Sequence, residues 1–124
     1  MTFYHATTRD RIASIQRLGL GGDPNAERNF EFSEQGVYLA ENPVLALGFL
    51  LERAMAGAFR NHSPQDYVAA FAVIVIDASR VDPGRLRADE NIGQEGFWIY
   101  SGVIDVTSMP VIGADEVMCK NLAS

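Results

Sequence analysis

FYHATTRDRIASIQRLGLGG, Phe3–Gly22, is the stretch on which the reading of the chain turns. A short apolar run ends at Tyr4-His5 and passes directly into a segment carrying Ile12, Ile15 and Leu18 on roughly one helical face. Thr2–Ala6 reads as a strand, and Thr7 or Thr8 supplies a hydroxyl cap for the helix. Gly19 terminates that helix, with Leu20 available for the apolar contact that follows such an end. A strand that stops on a polar residue before a helix commonly sets that side chain at the rim of a pocket, so His5 is the first site candidate.

Downstream, Gly21–Gln35 is polar and rich in turn-formers apart from Phe30 and Phe32, which predicts a long loop with two aromatic anchors. Gly36–Ala40 reads as a second strand, and Asn42-Pro43 as a helix start, a capping side chain followed by proline at the first helical position. Val44, Leu47, Leu51, Ala54 or Met55, and Ala58 recur at helical spacing, which predicts a mostly buried helix ending near Asn61-His62-Ser63-Pro64. The nearly continuous apolar run Tyr67–Ile76 is a strand covered on both faces. Asp82-Pro83-Gly84 is a turn, and Arg85–Gly96 is polar and irregular. Four short strands follow, at Phe97–Tyr100, Gly102–Ile104, Pro110–Ile112 and Glu116–Cys119. Helices among the early strands and strands throughout the second half give an α+β class, with a mixed or split sheet and helices on its sides.

Composition limits what such a chain does. Its 124 residues, with no internal repeat or long linker, form one domain, 1–124, and 48% hydrophobic content supplies a core that needs no covalent staple. The single Cys119 has no partner for an internal disulfide, which favours a reducing compartment, and a cytoplasmic location is expected. Apolar runs are too short to span a bilayer, so no membrane association is expected. A net charge of −6 argues against nucleic acid as the main partner, because phosphate backbones are met by clustered Lys and Arg. No Cys/His spacing marks a metal site, and no Gly-x-Gly-x-x-Gly follows a strand.

Phe3-Tyr4-His5-Ala6-Thr7, the Ile12/Ile15 helix ending in Gly19-Leu20, then Gly36-Val37-Tyr38-Leu39-Ala40 and a helix rich in Ala46 and Leu47, together resemble the ADP-ribosyltransferase superfamily, in its His-Tyr-Glu type. The likeness follows the first sixty or so residues in order. It implies a split sheet with flanking helices and an enzyme that takes NAD as substrate, releases nicotinamide and transfers ADP-ribose to an acceptor or to water. By that resemblance His5 would bond a ribose hydroxyl, and the backbone near Ala6, with Thr7 beside it, would hold the nicotinamide carboxamide. Alanine at position 6 departs from the family's usual glycine. Tyr38 would stack on nicotinamide, and the segment from Gly19 through Phe32 would lie over the dinucleotide. The third catalytic element is a glutamate at the start of a late strand. Glu95 is the candidate, with Glu90 ranked below it, and if Phe97 or Trp98 occupies that position the chain lacks the acid.

Taken singly, His5 reads as a half-buried histidine with one hydrogen bond and Tyr38 as a core aromatic; their order along the chain is what joins them into a site. His5 and Tyr38 are expected to point into one cleft from adjacent strands. Trp98 and Tyr100 are expected to be strand packing, and His62 a surface residue. Three functions follow. The first is an NAD-dependent transferase or glycohydrolase using His5, Tyr38 and Glu95 on a macromolecular acceptor. The second is a non-catalytic binding or inhibitor protein on the same scaffold, of the sort a phage or mobile element carries. RNA 2′-phosphotransfer ranks third, because the chain is acidic and Tyr38 stands where that chemistry would need a second histidine.

Overall fold

The computed structural model describes residues 2–22, 37–53, 69–88 and 96–117. Along them run β1 (Thr2–Thr8), α1 (Ile12–Leu18), β2 (Val37–Ala40), α2 (Pro43–Arg53), β3 (Phe71–Asp77), β4 (Leu86–Ala88), β5 (Phe97–Tyr100) and β6 (Val111–Gly113). The strands form one sheet in the order β4-β5-β2-β1-β3-β6. Every pairing among the described residues is antiparallel. The α+β class is therefore observed, and the expected mixture of strand directions is not. Direction depends on how each connection returns across the sheet, which a local apolar pattern does not encode.

Strand alternation gives the sheet two apolar faces. On one, Ala6, Ala40, Phe71, Val73 and Phe97 pack with Ala46, Leu47 and Leu50 of α2. On the other, Phe3, Val37, Leu39, Ile74, Ile76 and Tyr100 pack with Ile12 and Ile15 of α1, with Leu20 and with Ile104. β3 lies between β1 and β6 and contributes to both faces, which accounts for its unbroken apolar run. It begins at Phe71, not at the expected Tyr67, since residues 69–70 are helical.

Asn42 caps α2 as its sequence predicts, Oδ1 accepting from Val44 N at 2.7 Å and Leu45 N at 3.2 Å. The buried face of α2 differs from the expected one. Ala46, Leu47 and Leu50 are buried, Leu51 is half-buried and Val44 is exposed. Residues 44–51 are apolar apart from Gly48, so their spacing does not select one face. In α1, Leu18 is exposed although Ile12 and Ile15 pack inward. Steps of three residues fall short of a helical turn, and two of them carry Leu18 about 120° round from Ile12. A 3-10 turn at Arg9–Arg11 precedes α1, and neither Thr8 nor Arg11 caps a helix through its side chain.

Gly19 ends α1 at φ +85° and donates to Ile15 O at 2.8 Å. Leu20 and Ile104 then exchange backbone hydrogen bonds at 2.8 and 3.0 Å, tying the end of α1 to the segment after β5. This bridge is what the expected Gly102–Ile104 strand contributes. Gly21 lies at φ +86°, where a methyl would stand 2.7 Å from Val37 Cγ2 and 2.9 Å from Gly102 O. Pro83–Arg85 form the expected turn, with Asp82 Oδ1 accepting from Gly84 N at 3.0 Å. Just beyond it, the segment read as irregular contains β4, registered against β5 with Leu86 opposite Tyr100. Residues 114–117 are helical and bury Ala114 and Val117, where a strand was expected from Glu116. The expected loop anchors Phe30 and Phe32, the expected helix beyond residue 53, His62 and Cys119 lie outside the described residues.

Candidate functional site

β1 is registered to β3 along its whole length, from Thr2 opposite Asp77 to Thr8 opposite Phe71. Toward β2 the ladder is registered at Tyr4 opposite Ala40, and past that pair the contact changes character. There His5 Nδ1 lies 2.8 Å from Tyr38 O, so an imidazole bridges the two strands. A carbonyl only accepts, hence Nδ1 carries the proton and donates, and Nε2 holds the bare lone pair of the neutral ring. The pKa of His5 lies below its ordinary value of 6.5. Burial is the largest cause, the charge of Arg11 adds to it, and the bond to Tyr38 opposes both. At neutral pH the seam is thus bordered by an uncharged ring. Its Nε2 has no hydrogen-bond partner among the described residues.

His5 and Tyr38 meet here, but not as two rings in one cleft. Side chains alternate along β1, so His5 falls on the face opposite that of Tyr4 and Ala6. His5 shares the α1 face with Ile74, its partner in β3. The ring of Tyr38 lies on the α2 face, stacked on Phe49 with centroids 5.6 Å apart and planes at 29°. Phe49 in turn meets Phe97 at 5.8 Å, tilted by 49°. The expectation of one shared cleft is therefore corrected, and the arrangement found counts against a single NAD site built from both rings: a 33-residue separation does not determine register, and a one-residue difference in register reverses a side chain.

Phe49 is the site residue that sequence reading passed over. It stands seven residues after Asn42 in a helix apolar on most sides, and only the fold shows that it turns toward Tyr38. Ala6 and Thr7 line the β1 side of the seam and are both buried. Gly19 is not brought to the seam; it sits against Val103 and the Ile104 carbonyl at the end of α1. Glu95 and Glu90 lie outside the described residues.

At the start of β5 the described residues are Gly96, Phe97 and Trp98. Tyr100 is packing, as expected: it is buried, and its hydroxyl accepts from Asp82 N at 3.3 Å. Trp98 is half-buried, and its Nε1 donates to Glu41 Oε1 at 2.9 Å. Among the described residues no group of three or more His, Cys, Asp or Glu side chains is arranged to hold a metal ion, and no helix is long and apolar enough to cross a membrane. Compared with models of known protein families, with curated proteins and with solved structures, the chain matches none.

Proposed function

We propose that the chain binds NAD at the β1–β2 seam and cleaves its nicotinamide–ribose bond, passing ADP-ribose to an acceptor or to water. The observation that carries this reading is the aromatic pair Tyr38–Phe49 on the α2 face, beside the β1–β2 seam. Two further features support it. The sheet is weakest between β1 and β2, which divides it into β4-β5-β2 and β1-β3-β6 and suits the split sheet that the resemblance to ADP-ribosyltransferases implies. An electron-rich aromatic face also attracts the cationic nicotinamide ring, by roughly 0.5–2 kcal/mol according to desolvation.

The fit has one condition. Aromatic planes in contact lie about 3.5 Å apart, so a ring held between two others needs their centroids about 7 Å apart. Tyr38 and Phe49 stand at 5.6 Å, so nicotinamide either parts them or stacks on an outer face of the pair. As the glycosidic bond breaks, the ribose gains oxocarbenium character, which a carboxylate beside it stabilises.

A non-catalytic binding protein is the second reading. It is favoured by the start of β5, where Gly96-Phe97-Trp98 carries no carboxylate of its own. Release of nicotinamide from NAD by the purified protein, alongside the shift of its melting temperature with NAD, separates the two. We expect both signals, with Tyr38→Ala and Phe49→Ala each weakening NAD binding about 5- to 30-fold, the equivalent of roughly 1–2 kcal/mol for a lost aromatic face. Binding without release leaves the binding-protein reading. Neither signal removes NAD from the account.

A further inference from the structure

Alternation along β1 sets Phe3, His5 and Thr7 on the α1 face of the sheet, away from the Tyr38–Phe49 pair. Thr7 is 5% exposed, and its hydroxyl has no hydrogen-bond partner among the described residues. A buried hydroxyl left unpaired costs stability, which a polar ligand would restore.

Two further polar groups beside it are also unmet. His5 stands about 7 Å before Thr7 on the same strand, and its Nε2 stays bare once Nδ1 has donated to Tyr38 O at 2.8 Å. Arg11, four residues after Thr7 at the entry to α1, is half-buried and makes no ion pair or hydrogen bond among the described residues. Burial keeps the His5 ring neutral and the nearby charge of Arg11 adds to that, while no carboxylate among the described residues acts on the ring. The three groups differ in what they require. Arg11 donates and is positive, Thr7 donates or accepts, and Nε2 of a neutral imidazole only accepts. One small ligand satisfies all three if it is an anion that still carries an O–H.

We propose that His5, Thr7 and Arg11 form a site on the α1 face for a small oxyanion that retains a hydroxyl, of which hydrogenphosphate is the simplest. Its oxygens accept from Arg11 and from the Thr7 hydroxyl, and its O–H donates to His5 Nε2. A tetrahedral ion with a hydrogen bond of about 2.8 Å on each side reaches from one residue to the other. Half-buried His5 and Arg11 open the site to solvent, and Thr7 is its floor. Sulfate has the shape and double charge of hydrogenphosphate but no proton, so it leaves Nε2 unmet. The site therefore separates two ions that a plain positive patch would take alike. This inference is independent of the NAD reading, whose aromatic pair lies on the other face.

Calorimetric titration in chloride buffer at about pH 7.5, where His5 is neutral, tests the site with inorganic phosphate, sulfate and glycerol 3-phosphate. Wild type is expected to bind phosphate at least about tenfold more tightly than sulfate. Thr7→Val removes an unpaired hydroxyl at nearly constant shape. Its melting temperature without ligand should match or exceed that of wild type, while its phosphate affinity falls about fivefold or more. Arg11→Gln should lower that affinity about tenfold or more. Tighter binding of glycerol 3-phosphate than of phosphate gives the source as a phosphorylated polyol, and the reverse gives the free ion; each upholds the shared chemistry. Equal binding of phosphate and sulfate, wild-type phosphate affinity in either variant, a Thr7→Val chain that melts well below wild type, or no binding of either phosphate ligand overturns the site. None of these outcomes bears on nicotinamide release.

Discussion

A neutral imidazole bonded to a strand carbonyl makes His5 responsive to pH. Its folded pKa lies below 6.5, while the unfolded chain titrates near that ordinary value. As pH falls through 6.5 the unfolded state takes up a proton that the folded state refuses, so acidification favours unfolding. The loss continues until the folded pKa is reached. Asp77 and Asp105 act in a lower window: the backbone N–H groups of Ser79 and Thr107, first among the causes, hold their carboxyls below the ordinary 3.8. Stability measured by urea unfolding should therefore decline as pH falls from neutrality through 6.5. His5→Asn, which offers an amide N–H in place of Nδ1–H and does not titrate, should flatten that decline. An unchanged slope in the variant would assign the effect to other groups.

At the scale of elements, α2 shows how an apolar helix obtains a buried face. Leu50 is 2% exposed and packs among Ala40, Phe71 and Val73, whereas Leu51 is half-buried on the margin of the same cluster. Deleting a fully enclosed leucine side chain loses its transfer energy and leaves a cavity. Leu50→Ala should cost about 2–5 kcal/mol in urea unfolding, and Leu51→Ala should cost less. The reverse order would mean that α2 is rotated about its axis relative to the sheet. Phe49 lies next to the stripe formed by Ala46, Leu47 and Leu50, so the packing that buries Leu50 also aims Phe49 at Tyr38. Fold and proposed binding surface are thus set by the same helix rotation.

Across the whole molecule, two apolar clusters lie on opposite faces of a sheet whose strongest join is β1–β3 and whose weakest is β1–β2. Residues cooperating in a long ladder open only with global unfolding, while a short seam opens at lower free energy. Hydrogen exchange should find the β1–β3 amides the slowest. The amides of β1 and β2 that face the seam should exchange through a smaller opening and become slower when NAD is added. Equal protection on both sides of β1 would show that the seam is not a separate unit.

Much of this arrangement was readable along the chain because it is local. Asn42-Pro43 capped and started α2, Gly19 ended α1, Asp82-Pro83-Gly84 turned, and Phe97–Tyr100 formed a strand, each through chemistry spanning a few residues. That His5 and Tyr38 lie on adjacent strands was also expected from the order of the short apolar runs, but the shared cleft expected for their side chains is not what the fold gives. What the tertiary structure alone decided is relational. It set every strand pair antiparallel, placed the rings of His5 and Tyr38 on opposite faces, turned Phe49 rather than an exposed neighbour toward Tyr38, and brought Glu41 to the start of β5 through Trp98. Each of these depends on register or rotation between segments distant in sequence. Register and rotation are fixed by which apolar surfaces enclose one another, and a one-dimensional pattern states only that such surfaces exist.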